Sequence, residues 1–166
     1  MMIPYEDVMR AFQKKKVKYL LVGGMATNLH GFARNTADMD ILVEMSDENL
    51  AKVVSVLKGN GYRVKQPVDP MGIADKKIRE DWINNKNMKA FNFYKEVNYS
   101  EVDVIIDSPI SYEKAKKDVM HLRVGSLNIP VISLKNLIRM KKRAGRDIDK
   151  MDIARLLLVK KLRENA

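Results

Sequence analysis

The sequence predicts an α+β or α/β fold, a sheet interleaved with helices and followed by a helical C-terminal part. Three observations predict it. Short apolar runs with a period of two occur at 39–43 and 101–106. Segments of helical period separate the runs. After Ser133 the chain holds only helical patterns. A length of 166 residues suits one domain with a sizeable core, so residues 1–166 are read as a single unit.

In chain order, residues 5–16 read as a short amphipathic helix ending in Lys14, Lys15 and Lys16. Val17 to Val22 is a strand, broken by Gly23 and Gly24, and Met25 to His30 is a short helix stopped by Gly31. Met39 to Val43 is a second strand. Ser46 is a good N-cap for a helix through Leu50, Val53, Val54 and Leu57, ended by Gly59 and Gly61. Tyr62 to Lys65 is a third strand. Residues 66–89, with two prolines and the run NNKN, read as irregular. Residues 90–94 and 101–106 are strands four and five, 112–119 a charged helix, and 122–133 a small hairpin. Ser133 caps a helix from Leu134 to Ala144 with Gly145 as its stop, and a last helix spans 147–162.

Composition narrows the function classes. Hydrophobic residues make up 46% and charged residues 31% of the chain, as in a globular protein. No apolar run approaches the roughly 18 to 20 residues of a membrane helix. The start, MMIPYEDVMRAF, has no signal-peptide core. There is no cysteine, which excludes disulfides and thiolate metal sites, and a cytoplasmic location is expected. The net charge is +10, and residues 113–166 alone carry +9. Such a field suits polyanions, nucleotide phosphates or nucleic acid, or else a solvated helical face.

The stretch LLVGGMATNLHGFARNTADMDILV carries the chemistry. Residues i and i+2 of a strand share a face, so Asp38 and Asp40 point one way if the strand starts by Asp38, while Met39, Ile41 and Val43 point toward the core. Asp103, between Val102 and Val104, joins them if the two strands are neighbours. Three carboxylates in one patch repel unless a cation is present, and hard oxygen ligands select Mg²⁺ or Mn²⁺. Asp38 alone also fits a strand cap or a turn, and Asp103 alone an exposed edge position. Gly23-Gly24 lets a backbone approach a ligand closely, or simply turns the chain. It is neither a Rossmann nor a P-loop motif. Lys141 continues the apolar face set by Leu134, Leu137 and Ile138, so it needs a phosphate or carboxylate partner or must snorkel. His30 reads as a packing residue. Asp149 and Asp152 fit a helix N-terminal preference for acids. Trp82 and Tyr94 could stack a base but read better as core.

Taken together, Val22-Gly23-Gly24, a spacer of thirteen residues, Asp38-Met39-Asp40-Ile41 and the later Val102-Asp103-Val104 resemble the nucleotidyltransferase superfamily related to DNA polymerase β. Arg34-Asn35-Thr36 before the aspartate pair, and the tail IPVISLKNLIRMKKRAGRDIDKMDIARL, are similar to its minimal AbiEii-like or antibiotic-transferase-like branch. The resemblance covers about residues 17–156. It implies a mixed α+β sheet of about five strands, with helices on one face and the carboxylates on the other. The catalytic core would be about 17–110 and the basic helical part about 111–166. It implies transfer of a nucleoside monophosphate from an NTP such as ATP to an acceptor, with release of pyrophosphate. Asp38, Asp40 and Asp103 would be the catalytic and metal-binding residues, holding two Mg²⁺ or Mn²⁺ ions. Gly23, Gly24, Arg34, Lys141 and Arg146 would bind the nucleotide. The family's Gly-Ser serine is missing here, so the phosphate grip falls to backbone and basic side chains.

Two other classes remain open at this point. One is a catalytically silent module of the same fold, a nucleotide sensor or half of a toxin–antitoxin pair with a protein partner. The other is a charge-driven RNA-binding domain. RNA is also a candidate acceptor, beside a small molecule or a protein side chain.

Overall fold

The computed structural model describes residues 3–166. Its frame is a seven-stranded mixed sheet in the order β3-β4-β5-β2-β1-β7-β6. The strands are β1 (Tyr19–Val22), β2 (Met39–Val43), β3 (Arg63–Val64), β4 (Ala90–Lys95), β5 (Ser100–Ile105), β6 (Met120–Val124) and β7 (Leu127–Val131). The helices are α1 (Glu6–Lys15), α2 (Gly23–Leu29), α3 (Asp47–Gly59), α4 (Lys76–Asn84), α5 (Tyr112–Ala115), α6 (Leu134–Ala144) and α7 (Asp147–Glu164).

The centre of the sheet follows from the alternation read in the sequence. β2 lies parallel to β5, with Met39 opposite Val102 and Ile41 opposite Val104. These four side chains are fully buried and form one apolar face. Burying such a face pins the register, because a slip of one residue would turn every carboxylate into the core. β1 pairs antiparallel with β2 and parallel with β7. On the apolar face, Phe12 of α1 packs on Tyr19 with ring centroids 4.9 Å apart, and Trp82 of α4 stacks on Phe91 at 5.3 Å. α3 adds buried Leu50, Val53, Val54 and Leu57.

Four features differ from the sequence reading. The sheet has seven strands where about five were expected. The hairpin at 122–133 does not stand apart. It joins β1 through Leu21 and Val131, because Leu127, Ile129 and Val131 supply a buried stripe that continues the core. Residues 66–89 are largely ordered as a 3₁₀ turn over Pro70–Ala74 and then α4. Asp75 starts α4 by accepting from the Lys77 and Ile78 amides, at 2.8 and 3.1 Å. Finally, α2 begins at Gly23 and so contains both glycines. The expected separation of helices from carboxylates holds for α1, α3 and α4. α6 comes round to flank the carboxylates, over Val22 and Ile105.

One polar side chain ties this frame together. Asn49 is 3% exposed. Its amide donates to Lys18 O and Glu44 O, each at 2.9 Å, and accepts from Lys18 N at 2.8 Å. It thereby joins α3 to the lower ends of β1 and β2. Asn49→Ala strands Lys18 N and Glu44 O, while Lys18 O keeps its bond from Glu44 N at 3.1 Å, and is expected to cost about 3 kcal/mol. For a chain of this size that is a fall in Tm of roughly 6 to 12 °C by calorimetry. Asn49→Asp, which sets a buried carboxylate against the Lys18 and Glu44 carbonyl oxygens, should cost at least as much.

Candidate active site

The apolar face of β2 and β5 dictates what stands on the other face. Across the sheet run Val22, Asp40, Asp103 and Asn92, each opposite the next in register. Asp38 lies just before β2, on the segment that Tyr5 ties down. The Tyr5 hydroxyl donates to Ala37 O at 2.6 Å and accepts from Glu101 N at 3.0 Å. Asp38, Asp40 and Asp103 therefore share one side of the sheet and feel one another.

Their charges show it. Burial, then repulsion from Asp103 and Asp38, pushes the Asp40 carboxyl up to about 7 from an ordinary 3.8. Burial also raises Asp103, opposed by a hydrogen bond from Asn92. That bond is 2.6 Å from Asn92 Nδ2 to Asp103 Oδ1. Asn92 is held in turn by Gln66, whose Nε2 donates to Asn92 Oδ1 at 2.7 Å and whose Oε1 accepts from Asn92 N at 3.2 Å. Among the described residues no three acidic or histidine side chains already stand together as a cation cage. The donor set nonetheless fits a hard divalent cation: three carboxylates on one face, whose burial and mutual repulsion a bound cation would offset.

The glycine pair is shaped by this row. A side chain at Gly23 would run into the Asp40 carboxylate, and the backbone there has φ +66°. Only glycine satisfies both. A side chain at Gly24 would stand 2.7 Å from the Arg34 guanidinium. Beside Gly23 and Asp40 opens a cleft of about 270 Å³ whose walls include Lys89, Lys141, Arg143 and Arg146.

The basic residues marked in the sequence prove to be partnered. Lys141 is 4% exposed and donates to Asp152 at 2.8 Å, with Asp149 at 3.8 Å. Arg34 Nε lies 3.3 Å from the same fully buried Asp152. Arg146 grips Asp149 at 2.7 Å but keeps most of its side chain in the open. Three cations from separate segments thus meet two carboxylates of α7. The sequence reading gave Asp149 and Asp152 to the helix terminus and missed this role. Their spacing of three, which places both on one side of α7, was the available signal. It also missed Tyr5, Gln66 and Asn92, whose contacts span 11 to 96 residues of sequence. His30 is a packing residue as expected, 2% exposed and bonded through Nε2 to Ile132 O at 2.7 Å. Trp82 lies in the core, away from the row, on the apolar face.

Comparison with known proteins assigns a family to this fold. The aminoglycoside-2''-adenylyltransferase family pattern matches residues 5–156. No curated protein sequence matches the chain. Among solved structures, the lincosamide antibiotic adenylyltransferase LnuA, bound to lincomycin, aligns with a TM-score of 0.61 at 19% identity, over 92% of this chain and 93% of its own. ANT(2'')-Ia in complex with adenylyl-2''-tobramycin aligns at 0.56 and 14%, over 96% and 92%. A nucleotidyltransferase-like protein of Thermotoga maritima aligns at 0.56 and 14%, over 92% and 89%. The chain belongs to the aminoglycoside-2''-adenylyltransferase family and is a nucleotidyltransferase.

Two outcomes follow from the charges. Unfolded, Asp40 loses its proton near pH 4; folded and metal-free, it keeps it to about 7. The folded state therefore binds the extra proton in that window, and stability declines as pH rises through it. Asp40→Asn should raise the stability of the metal-free protein at pH 8 by on the order of 2 kcal/mol and be neutral at pH 3.5, read by urea melts at both pH values. In the α7 cluster, Asp152→Ala leaves Lys141 and Arg34 undercompensated inside the fold. It should cost about 3 to 5 kcal/mol, whereas Asp152→Ala with Lys141→Met should recover part of the loss in the same melts.

Proposed function

We propose that this enzyme moves a nucleoside monophosphate from an NTP to a hydroxyl of a small-molecule acceptor. The observation that carries the reading is the register Asp40–Asp103 beside Gly23, at the mouth of a cationic cleft. The similarity to proteins named as antibiotic adenylyltransferases supports ATP as donor and a small molecule as acceptor.

In this reading Asp38, Asp40 and Asp103 hold Mg²⁺ or Mn²⁺, which supplies positive charge to the triphosphate and to the departing pyrophosphate. Gly23 and Gly24 let the phosphates approach the backbone without a side chain in the way. Arg146 and Lys89, exposed at the cleft, attract the triphosphate, with Arg143 beside them. Lys141 and Arg34 act from behind, fixed by Asp152. The acceptor oxygen forms a bond to the α-phosphorus. The bond from that phosphorus to the β-bridging oxygen breaks, and its electron pair leaves with pyrophosphate. Asp103 takes the hydroxyl proton on the oxygen that Asn92 does not occupy. The cluster of strands and the C-terminal helices serve as one catalytic unit, since α6 walls the cleft that β2 and β5 floor.

The alternatives have less support. A silent module has no need of all three carboxylates on one face. The similar proteins whose names give an acceptor name tobramycin and lincomycin, which favours a small molecule over RNA. No helix among the described residues is long and apolar enough to cross a membrane.

The test is pyrophosphate release from each NTP with Mg²⁺ and a panel of hydroxylated small molecules, tobramycin and lincomycin included. Release with one NTP and one acceptor class is expected, and Asp103→Asn should lower kcat by about a thousandfold. Activity surviving Asp38→Ala with Asp40→Ala would sink the metal assignment. Silence across the whole panel would sink the transferase reading.

A further inference from the structure

The carboxylate row divides its sheet face into two halves of different chemistry. Toward the C-terminal end of β5, Ile105 and Ala90 run into the cleft with its lysine and arginines. Toward the N-terminal end, the face carries Asn92 and Tyr94 of β4, Glu101 of β5, and Lys65 and Gln66 after β3. Asn92, Tyr94, Gln66 and Glu101 all keep part of their surface in solvent, and Lys65 is exposed. The triphosphate belongs to the cationic half on charge alone. An in-line transfer then requires the acceptor on the other side of the row.

We propose that the half bearing Asn92, Gln66 and Tyr94 seats the acceptor, and that the acceptor is an uncharged or singly charged polyhydroxylated molecule rather than a polycation. The inference rests on the transferase reading above and narrows its substrate.

Two observations carry it. The first is hydrogen-bonding capacity. Asn92 and Gln66 lock each other and Asp103, yet each amide has two donors and two acceptor sites and spends only part of them. The remainder is a fixed donor–acceptor array, which matches hydroxyls, since a hydroxyl both gives and takes. Tyr94 adds an aromatic surface and a phenol. The second is charge. Strands β2 to β5 carry three acids, Asp40, Glu101 and Asp103, with Asp38 just before them. Glu101 is already ion-paired with Lys65. The other three are the proposed metal ligands. A polycation would find no free carboxylate on these strands and would meet Lys65 and the exposed Arg63, which stands opposite Tyr94. Exposed like charge of this kind, that of Arg63 above all, is how a site rejects a wrong partner.

The experiment loads the protein with Mg²⁺ and a non-hydrolysable ATP analogue and follows the backbone amides of Gln66, Asn92 and Tyr94 by NMR. Tobramycin is the polycation probe; lincomycin and simple uncharged glycosides are the others. Saturable shifts at these amides with lincomycin or an uncharged glycoside, and at least tenfold weaker binding of tobramycin, are expected. Gln66→Glu, which adds a free carboxylate, should then move the tobramycin-to-lincomycin affinity ratio up by about tenfold. Tobramycin binding here as tightly as the others overturns the proposal, as does binding of every probe away from these amides or not at all. Turnover is not needed for this readout, so a failed transfer assay would count against the transferase reading alone.

Discussion

Two aspartates held side by side on neighbouring parallel strands set the terms for everything around them. Asp40 and Asp103 repel, and they cannot move apart, because Met39, Ile41, Val102 and Val104 on the reverse face are locked in the core. The apolar burial of the sheet is thus converted into an electrostatic demand on its other side. Much of the remaining architecture answers that demand. Gly23 makes room for one carboxylate, Asn92 hydrogen-bonds the other, and the C-terminal helices bring arginine and lysine to the border.

Much of this could be read in the sequence, and the reason is local. β2 spans 39–43, as the alternation of Met39 to Val43 says. α6 runs from Leu134 to Ala144, between the Ser133 cap and a left-handed Gly145, as those two residues say. Both signals lie within a few residues of what they specify. The shared face of Asp38, Asp40 and Asp103 needed one further assumption, that β2 and β5 are neighbours. The family resemblance supplied what local pattern could not.

What escaped the sequence is long-range. α4 was hidden by Pro67, Pro70 and a polar run, and its most informative residue, Arg79, is a cation only 4% exposed. Nothing in its neighbours shows that Ile73 O, Met45 O and Asp47 would surround it. The joining of the β6–β7 hairpin to β1 depends on a single register point, Leu21 with Val131. Gln66, Asn92 and Tyr5 are ordinary polar residues until the sheet assembles them. The basic residues were found as candidate phosphate contacts, with a carboxylate as the other partner open to Lys141. In the fold Lys141 and Arg34 spend their charge on Asp152 first, because a buried cation without a counterion is far costlier than one within reach of a carboxylate.

The Asp152 cluster has a bearing on how sequences of this kind can diverge. Lys141, Asp149 and Asp152 are buried together, with Arg34 on Asp152 and the open Arg146 on Asp149, so none of Arg34, Lys141 and Asp152 can be exchanged alone without stranding a partner. Drift at these positions has to pass through joint changes, such as the loss of Arg34, Lys141 and Asp152 together to apolar residues of similar volume. Positions that are distant along the chain are therefore yoked in inheritance, and a family alignment should show Arg34, Lys141 and Asp152 kept or lost together.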